Sequence, residues 1–198
     1  NEVTRQYNAL YIAYPDGSIS DPYYKQLLVP MGEYIPFEST FRSLFPSLFE
    51  HKVLQQSIAM GTQVMVYPSV VGNISSLICY ESILPALARE NARKGSELLC
   101  MIANDSWFGN SIALRQHYSH SVLRAIENGR YLIRATNTGI SGIINQYGQT
   151  VSNTLEVNTA GYIQGAVYPL ANTTLYTKVG DIIILPALAL VLYAAALS

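Results

Sequence analysis

The chain has 198 residues, enough for one domain with a sizeable core. Its 12 basic and 13 acidic residues nearly cancel and only 13% are charged, which argues against nucleic acid or acidic partners. Two cysteines, Cys79 and Cys100, are too few for a disulfide framework and leave the redox compartment open. Tyrosine is abundant, which suits a surface that meets amphipathic material. Asn1 to Arg5 has neither an initiator methionine nor the shape of a signal peptide, and reads as a cut inside a longer chain.

Ala9 to Tyr14 predicts a strand, and Pro15-Asp16-Gly17-Ser18 a turn. Pro22 to Val29 should return as an antiparallel strand or extended loop carrying Tyr23, Tyr24 and Lys25. Pro30 to Pro36 cannot be regular, and such a rigid loop can hold Glu33 in one place. Ser39 to Glu50 is weakly helical, with Phe41, Leu44, Phe45, Leu48 and Phe49 expected to pack on the core by default or, in a mobile arm, to face lipid. Thr62 to Tyr67 is another strand. The run from Asn73 to Ser82 then reads as a buried strand that ends at Cys79. A helix follows over Ile83 to Lys94, with Leu84, Leu87 and Ala88 on one face and Pro85 near its start.

Glu97 to Ala103 is a third buried strand, closed by the polar turn Asn104 to Gly109 around the single tryptophan, Trp107. Ile112 to Arg134 predicts a long helix, weakened by Gly129. Strands are expected over Ile133 to Thr136, Ser141 to Gln146 and Tyr162 to Val167. Strands alternating with two helices indicate an α/β domain. From Ile182 to Ser198 no residue is charged, and the run is apolar all round. As a helix it spans roughly 25 Å, against about 30 Å of hydrocarbon, and reads as a truncated membrane-spanning segment. The division is thus 1–180 for the α/β domain and 181–198 for the transmembrane helix.

A strand that turns sharply into a helix exposes its turn residue at the sheet edge, where the helix N-terminus favours a thiolate. Cys79 is therefore a candidate nucleophile, although a lone cysteine also serves as a small buried hydrophobe. Such a nucleophile needs a base or cation to ionise it, and donors for the oxyanion it creates. His51 follows a loose segment, and His117 and His120 lie on the long helix, where solvated or capping roles are expected; they lack the spacing of a zinc site, so no metal is expected. Lys25, Glu33 and Glu81 remain, although a lysine after two tyrosines is also an ordinary solvated strand residue.

The segment Tyr23-Tyr24-Lys25 to Gly32-Glu33-Tyr34-Ile35-Pro36, then Ile78-Cys79-Tyr80-Glu81, then Asn104-Asp105-Ser106-Trp107-Phe108-Gly109, resembles the nitrilase (carbon–nitrogen hydrolase) superfamily. More narrowly it resembles the C-terminal portion of the apolipoprotein N-acyltransferase family. Glu127-Asn128-Gly129-Arg130, Arg134 to Ser141 and Tyr176 to Asp181 extend the likeness across nearly the whole chain in the family's order.

The resemblance implies a nitrilase-like four-layer α-β-β-α sandwich, incomplete at its N-terminus, and a Glu-Lys-Cys triad. Cys79 takes the nucleophile position and Lys25 the lysine position, with Glu33, Tyr80 and Glu81 as supporting residues and Trp107 at the substrate entrance. The family's general-base glutamate lies upstream of the lysine motif, outside this chain along with the preceding membrane helices. Glu2 lacks the expected flanking sequence, so the chain alone is expected to be inactive. The implied partners are a phospholipid acyl donor, a diacylglyceryl-modified lipoprotein acceptor and the lipid bilayer. The implied location is the bacterial inner membrane, with the catalytic domain on its periplasmic or outer face; no cofactor is implied. A soluble amidase acting on a small amide, or a binding domain with a dead site, are the alternatives.

Overall fold

The structure is a computed structural model and describes residues 5–49, 58–151 and 153–196. Among the described residues, seven strands form two sheets. A two-stranded antiparallel ribbon pairs β1 (Ala9–Leu10) with β2 (Tyr23–Tyr24). The main sheet holds β3 (Val66–Tyr67), β4 (Ile74–Ile78), β5 (Leu98–Ala103), β6 (Tyr131–Thr136) and β7 (Gly142–Ile144), in that spatial order. The pairs β4–β5 and β5–β6 are parallel, and the edge strands β3 and β7 are antiparallel to their neighbours.

Parallel neighbours need crossover helices, and the chain supplies two. Helix α2 (Pro85–Arg93) joins β4 to β5, and α3 (Ala113–Asn128) joins β5 to β6. Leu87 and Ala88 of α2 and Ala125 of α3 meet Leu77, Leu99, Met101 and Leu132 of the sheet in the main core. The ribbon packs elsewhere, with Leu10 and Tyr23 against Tyr67 and Ile78.

Several expected elements differ in extent. The long helix stops at Asn128 because Gly129 is left-handed (φ +61°), and a Cβ there would come within 2.9 Å of Thr174. Tyr162 to Val167 forms no strand: Ile163 and Val167 pack beside Leu98, Tyr131 and Ile143 as irregular chain. The helix after Cys79 does not begin at once. A 3-10 turn, Cys79–Ser82, intervenes, so the N-terminus of α2 lies six residues beyond the sulfur. Helix α1 (Glu38–Leu44) buries none of its residues, and Leu44 and Phe45 are exposed, so this helix is not buried in the core as the default reading expected. His51 lies outside the described residues.

After α4 (Leu175–Val179) and a 3-10 turn comes α5 (Ile184–Ala196), whose Leu185, Leu188, Leu190, Val191 and Leu192 are all exposed. The run Leu175–Ala196 is long and apolar enough to cross a membrane by length and composition. Its base is tied down: Arg89 donates to the carbonyls of Tyr176, Thr177 and Lys178, and Arg130 donates to the carbonyl of Asn172.

One carboxylate joins the two sheets. Glu81, 0% exposed, accepts from the N–H groups of Gln26 (2.6 Å) and Leu27 (3.2 Å) and of Ile78 (2.7 Å), and from the Tyr23 hydroxyl (2.9 Å). It binds the segment after β2 to the end of β4. Glu81→Ala strands these donors in the interior, at roughly 1–3 kcal/mol for each one left unsatisfied. Chemical denaturation should show a loss of roughly 3 kcal/mol or more, and a loss below 1 kcal/mol would contradict this account.

Candidate active site

Lys25 follows β2 directly, its N–H donating to the Asn8 carbonyl and its own carbonyl receiving Gly61 N–H. Its side chain turns inward and is 1% exposed, so it is not a solvated strand residue. The Nζ atom lies 2.7 Å from both Glu33 carboxylate oxygens. Glu33 is held in turn by the N–H of Val29 (2.8 Å), inside its irregular loop. Burial of the ammonium is thereby matched by an opposite charge at hydrogen-bond distance.

Cys79 opens the 3-10 turn with φ +52°, in the left-handed region that non-glycine residues occupy at a cost of roughly 1–2 kcal/mol. The thiol is free and partly buried. Burial pushes its pKa above the usual thiol value; the Lys25 ammonium and the Tyr80 N–H pull it down, while Asp105 and Glu33 push it up. The balance favours the protonated thiol, so a base is needed before the sulfur can attack. Cys100, on β5, is pushed up to about 11 by burial alone.

Cys79, Tyr80 and Glu33 line one apolar cavity of about 230 Å³ with Ile83, Trp107 and Phe108. A wider cavity of about 760 Å³ meets it at Cys79, Glu33 and Trp107, and is bordered by the amides of Asn8, Asn104 and Asn137. Trp107 is 76% exposed and stands on the rim of both. Of the six residues singled out in the sequence, five thus gather around the sulfur, Lys25 through its ion pair with Glu33. Glu81 lies behind the turn and lines neither cavity; burial pushes its carboxyl pKa up despite its donors.

Helix α3 adds a residue at the turn that motif reading did not include. His117 is 2% exposed, not solvated: one ring nitrogen lies 2.8 Å from Asp105 Oδ1, and the other lies 3.0 Å from Ser82 Oγ and 3.1 Å from the Cys79 carbonyl oxygen. Arg134 donates to Asp105 Oδ2 at 2.8 Å and to Ser121 Oγ at 2.9 Å. The buried positions of α3, Leu114, His117, Ser121, Arg124, Ala125 and Asn128, follow a helical period, and that period was the signal in the sequence. Cys79 Sγ, a carboxylate oxygen of Asp105 and a ring nitrogen of His117 fall within 4.8 Å of one another. Both Asp105 oxygens already have hydrogen-bond partners, so the cluster reads as a closed network rather than a set of vacant metal ligands.

Known proteins resemble this chain in sequence and in fold. The sequence model described as "Carbon-nitrogen hydrolase" matches residues 1–167. A protein of Synechocystis sp. named apolipoprotein N-acyltransferase is 35% identical over 178 residues, 88% of this chain and 33% of that protein. One of the same name from Bradyrhizobium diazoefficiens is 36% identical over 196 residues, 96% of this chain and 35% of that protein. The chain therefore spans about one third of the length of the curated relatives it matches. An amidase from Nesterenkonia sp. shares the fold, with a TM-score of 0.58 at 18% identity over 89% of this chain and 59% of that one. With a family match over most of its length and the family's fold, the chain belongs to the carbon–nitrogen hydrolases.

Proposed function

We propose that the protein containing this chain is an apolipoprotein N-acyltransferase that carries a fatty acyl group on Cys79. The observation that carries this reading is a nucleophile at the wall of an apolar cavity, beside a buried lysine, in a chain that also holds an exposed apolar helix. The names of the curated relatives support it.

In the first step the Cys79 thiol gives its proton to a base and attacks an ester carbonyl of a phospholipid. The S–C bond forms and the carbonyl electron pair moves onto oxygen. When that pair returns, the C–O bond breaks and lysophospholipid leaves with the proton. In the second step the α-amine of a diacylglyceryl-cysteine attacks the thioester. The C–N bond forms, the C–S bond breaks, and the amine proton returns to sulfur by way of the base. Lys25 and the Tyr80 N–H stabilise both oxyanions. The apolar cavity receives the acyl chain, and the amide-bordered cavity receives the polar part of donor or acceptor. Trp107 marks the entrance.

The described carboxylates that act on the sulfur, Asp105 and Glu33, are both committed to cations. As the likeness to the family implies, we assign the base to a glutamate outside residues 1–198. We place the domain on a bacterial inner membrane, with the site on its outer face, a reading that the exposed apolar helix supports.

Cys79→Ala in the intact protein should abolish the acyl-enzyme detected by mass spectrometry, whereas Lys25→Ala should slow its formation by roughly 10²–10³. An unchanged rate for Lys25→Ala removes that residue from the site. Residues 1–198 alone should release no lysophospholipid from vesicles, and measurable turnover would refute the assignment of the base. In this chain, iodoacetamide labelling of Cys79 should still be climbing above pH 9, because a raised pKa delays the thiolate to higher pH; Cys100 should lag further, towards its value of about 11. A Cys79 rate that levels off below pH 8 would contradict the electrostatics.

A further inference from the structure

The carbonyl oxygen of Cys79 is gripped from two sides. The Ser82 hydroxyl donates to it over 3.0 Å, and a ring nitrogen of His117 lies 3.1 Å away. The other ring nitrogen is fixed by Asp105, and Asp105 is fixed by Arg134. All of these side chains are buried. Such a costly assembly of charges around one backbone oxygen calls for a reason beyond packing.

The reason lies in the geometry of the peptide. The carbonyl of Cys79 and the N–H of Tyr80 belong to the same planar group, and the described chain has no cis peptide bond, so the two point in opposite directions. The Tyr80 N–H is the backbone group that pulls the Cys79 thiol pKa down, so it is turned towards the sulfur. Whatever holds the oxygen therefore aims the N–H. Cys79 sits at φ +52°, and without an external hold the turn would relax towards an unstrained conformation and swing this peptide away. The Ser82 hydroxyl on the oxygen also polarises the peptide and strengthens its N–H.

We propose that His117, oriented by Asp105 and Arg134, is a positioning residue that aims the Tyr80 N–H at the oxyanion formed when Cys79 is acylated. Ser82 shares the grip. The inference rests on Cys79 being the acylated nucleophile, as proposed above. His117 also lines the apolar cavity, but its ring nitrogens face Asp105, Ser82 and the Cys79 carbonyl rather than the reacting carbon. It acts through one peptide plane.

Two reagents aimed at the same sulfur in the intact protein separate this role from a general structural one. Acylation by p-nitrophenyl octanoate passes through an oxyanion; alkylation by iodoacetamide displaces iodide and makes none. Both adducts are measured on the Cys79 peptide by mass spectrometry. His117→Ala should slow acylation by roughly 10–100-fold while alkylation and its pH profile stay within threefold. His117→Gln, whose amide can still reach the carbonyl, should recover part of the loss.

Ser82→Ala should show the same selectivity with a smaller drop, and it carries the test if His117→Ala does not fold. Acylation within threefold of the parent in the folded variants, or an equal fall in both reactions, would overturn the proposal. Ester acylation of the parent without transfer from phospholipid vesicles would sink the lipid reading and leave this inference standing. No ester acylation of the parent would sink both.

Discussion

The structure depends on the buried carboxylate of Glu81. It accepts N–H groups from two segments more than 50 residues apart, just after Lys25 and just before Cys79. Neither segment could satisfy those donors by itself, because the ribbon strand is two residues long and the 3-10 turn leaves the ladder of the main sheet. A charged acceptor satisfies several donors at once, which a neutral side chain in this position could not. The distance between the lysine and the cysteine is thus set by one side chain that touches neither cavity.

The electrostatics follow from that clamp. Lys25 is buried with Glu33, so its charge is balanced and the pair can sit beside the sulfur without a large desolvation debt. The same balance limits what it does for the thiol: burial, Asp105 and Glu33 outweigh the ammonium and the Tyr80 N–H. In the proposed reaction a resting protonated sulfur would ionise only when a base and an acyl group are both in place.

Helix α3 acts as the backstop of the turn. His117 reaches the Cys79 carbonyl, and about two turns further on Arg124 donates to the carbonyls of Ser82 and Ile83 while paired with Glu127. The Asn137 to Gly139 loop closes on the same point from β6: the Asn137 side chain accepts the Asp105 N–H, and a Cβ on Gly139 would come within 2.0 Å of Asp105 Oδ2. Glycine is needed there for close approach, not for an unusual φ. The segment leading to the apolar helix is bound to the same scaffold by Arg89 of α2, which donates to the carbonyls of α4, and by Arg130, just past α3, which donates to the Asn172 carbonyl.

The α/β class, the strands around Cys79 and Asn104, the turn at Pro15 to Ser18, and the apolar run were legible in the sequence, because periodicity, proline, glycine and charge act locally. The gathering of Lys25, Glu33, Cys79, Tyr80 and Trp107 was legible only through resemblance, since nothing in a lysine after two tyrosines says that it turns inward. The exposed face of α1 and the irregular path of Tyr162 to Val167 were misjudged for the same reason: apolar content does not say which neighbour covers it. Left to itself, the sequence determined which residues could do the chemistry and where each short element would form. Only the tertiary structure decided that Glu81 is a clamp rather than a lining residue and that His117 and Asp105 stand behind the cysteine. Those roles arise from hydrogen bonds between groups far apart in the chain, which no local pattern encodes.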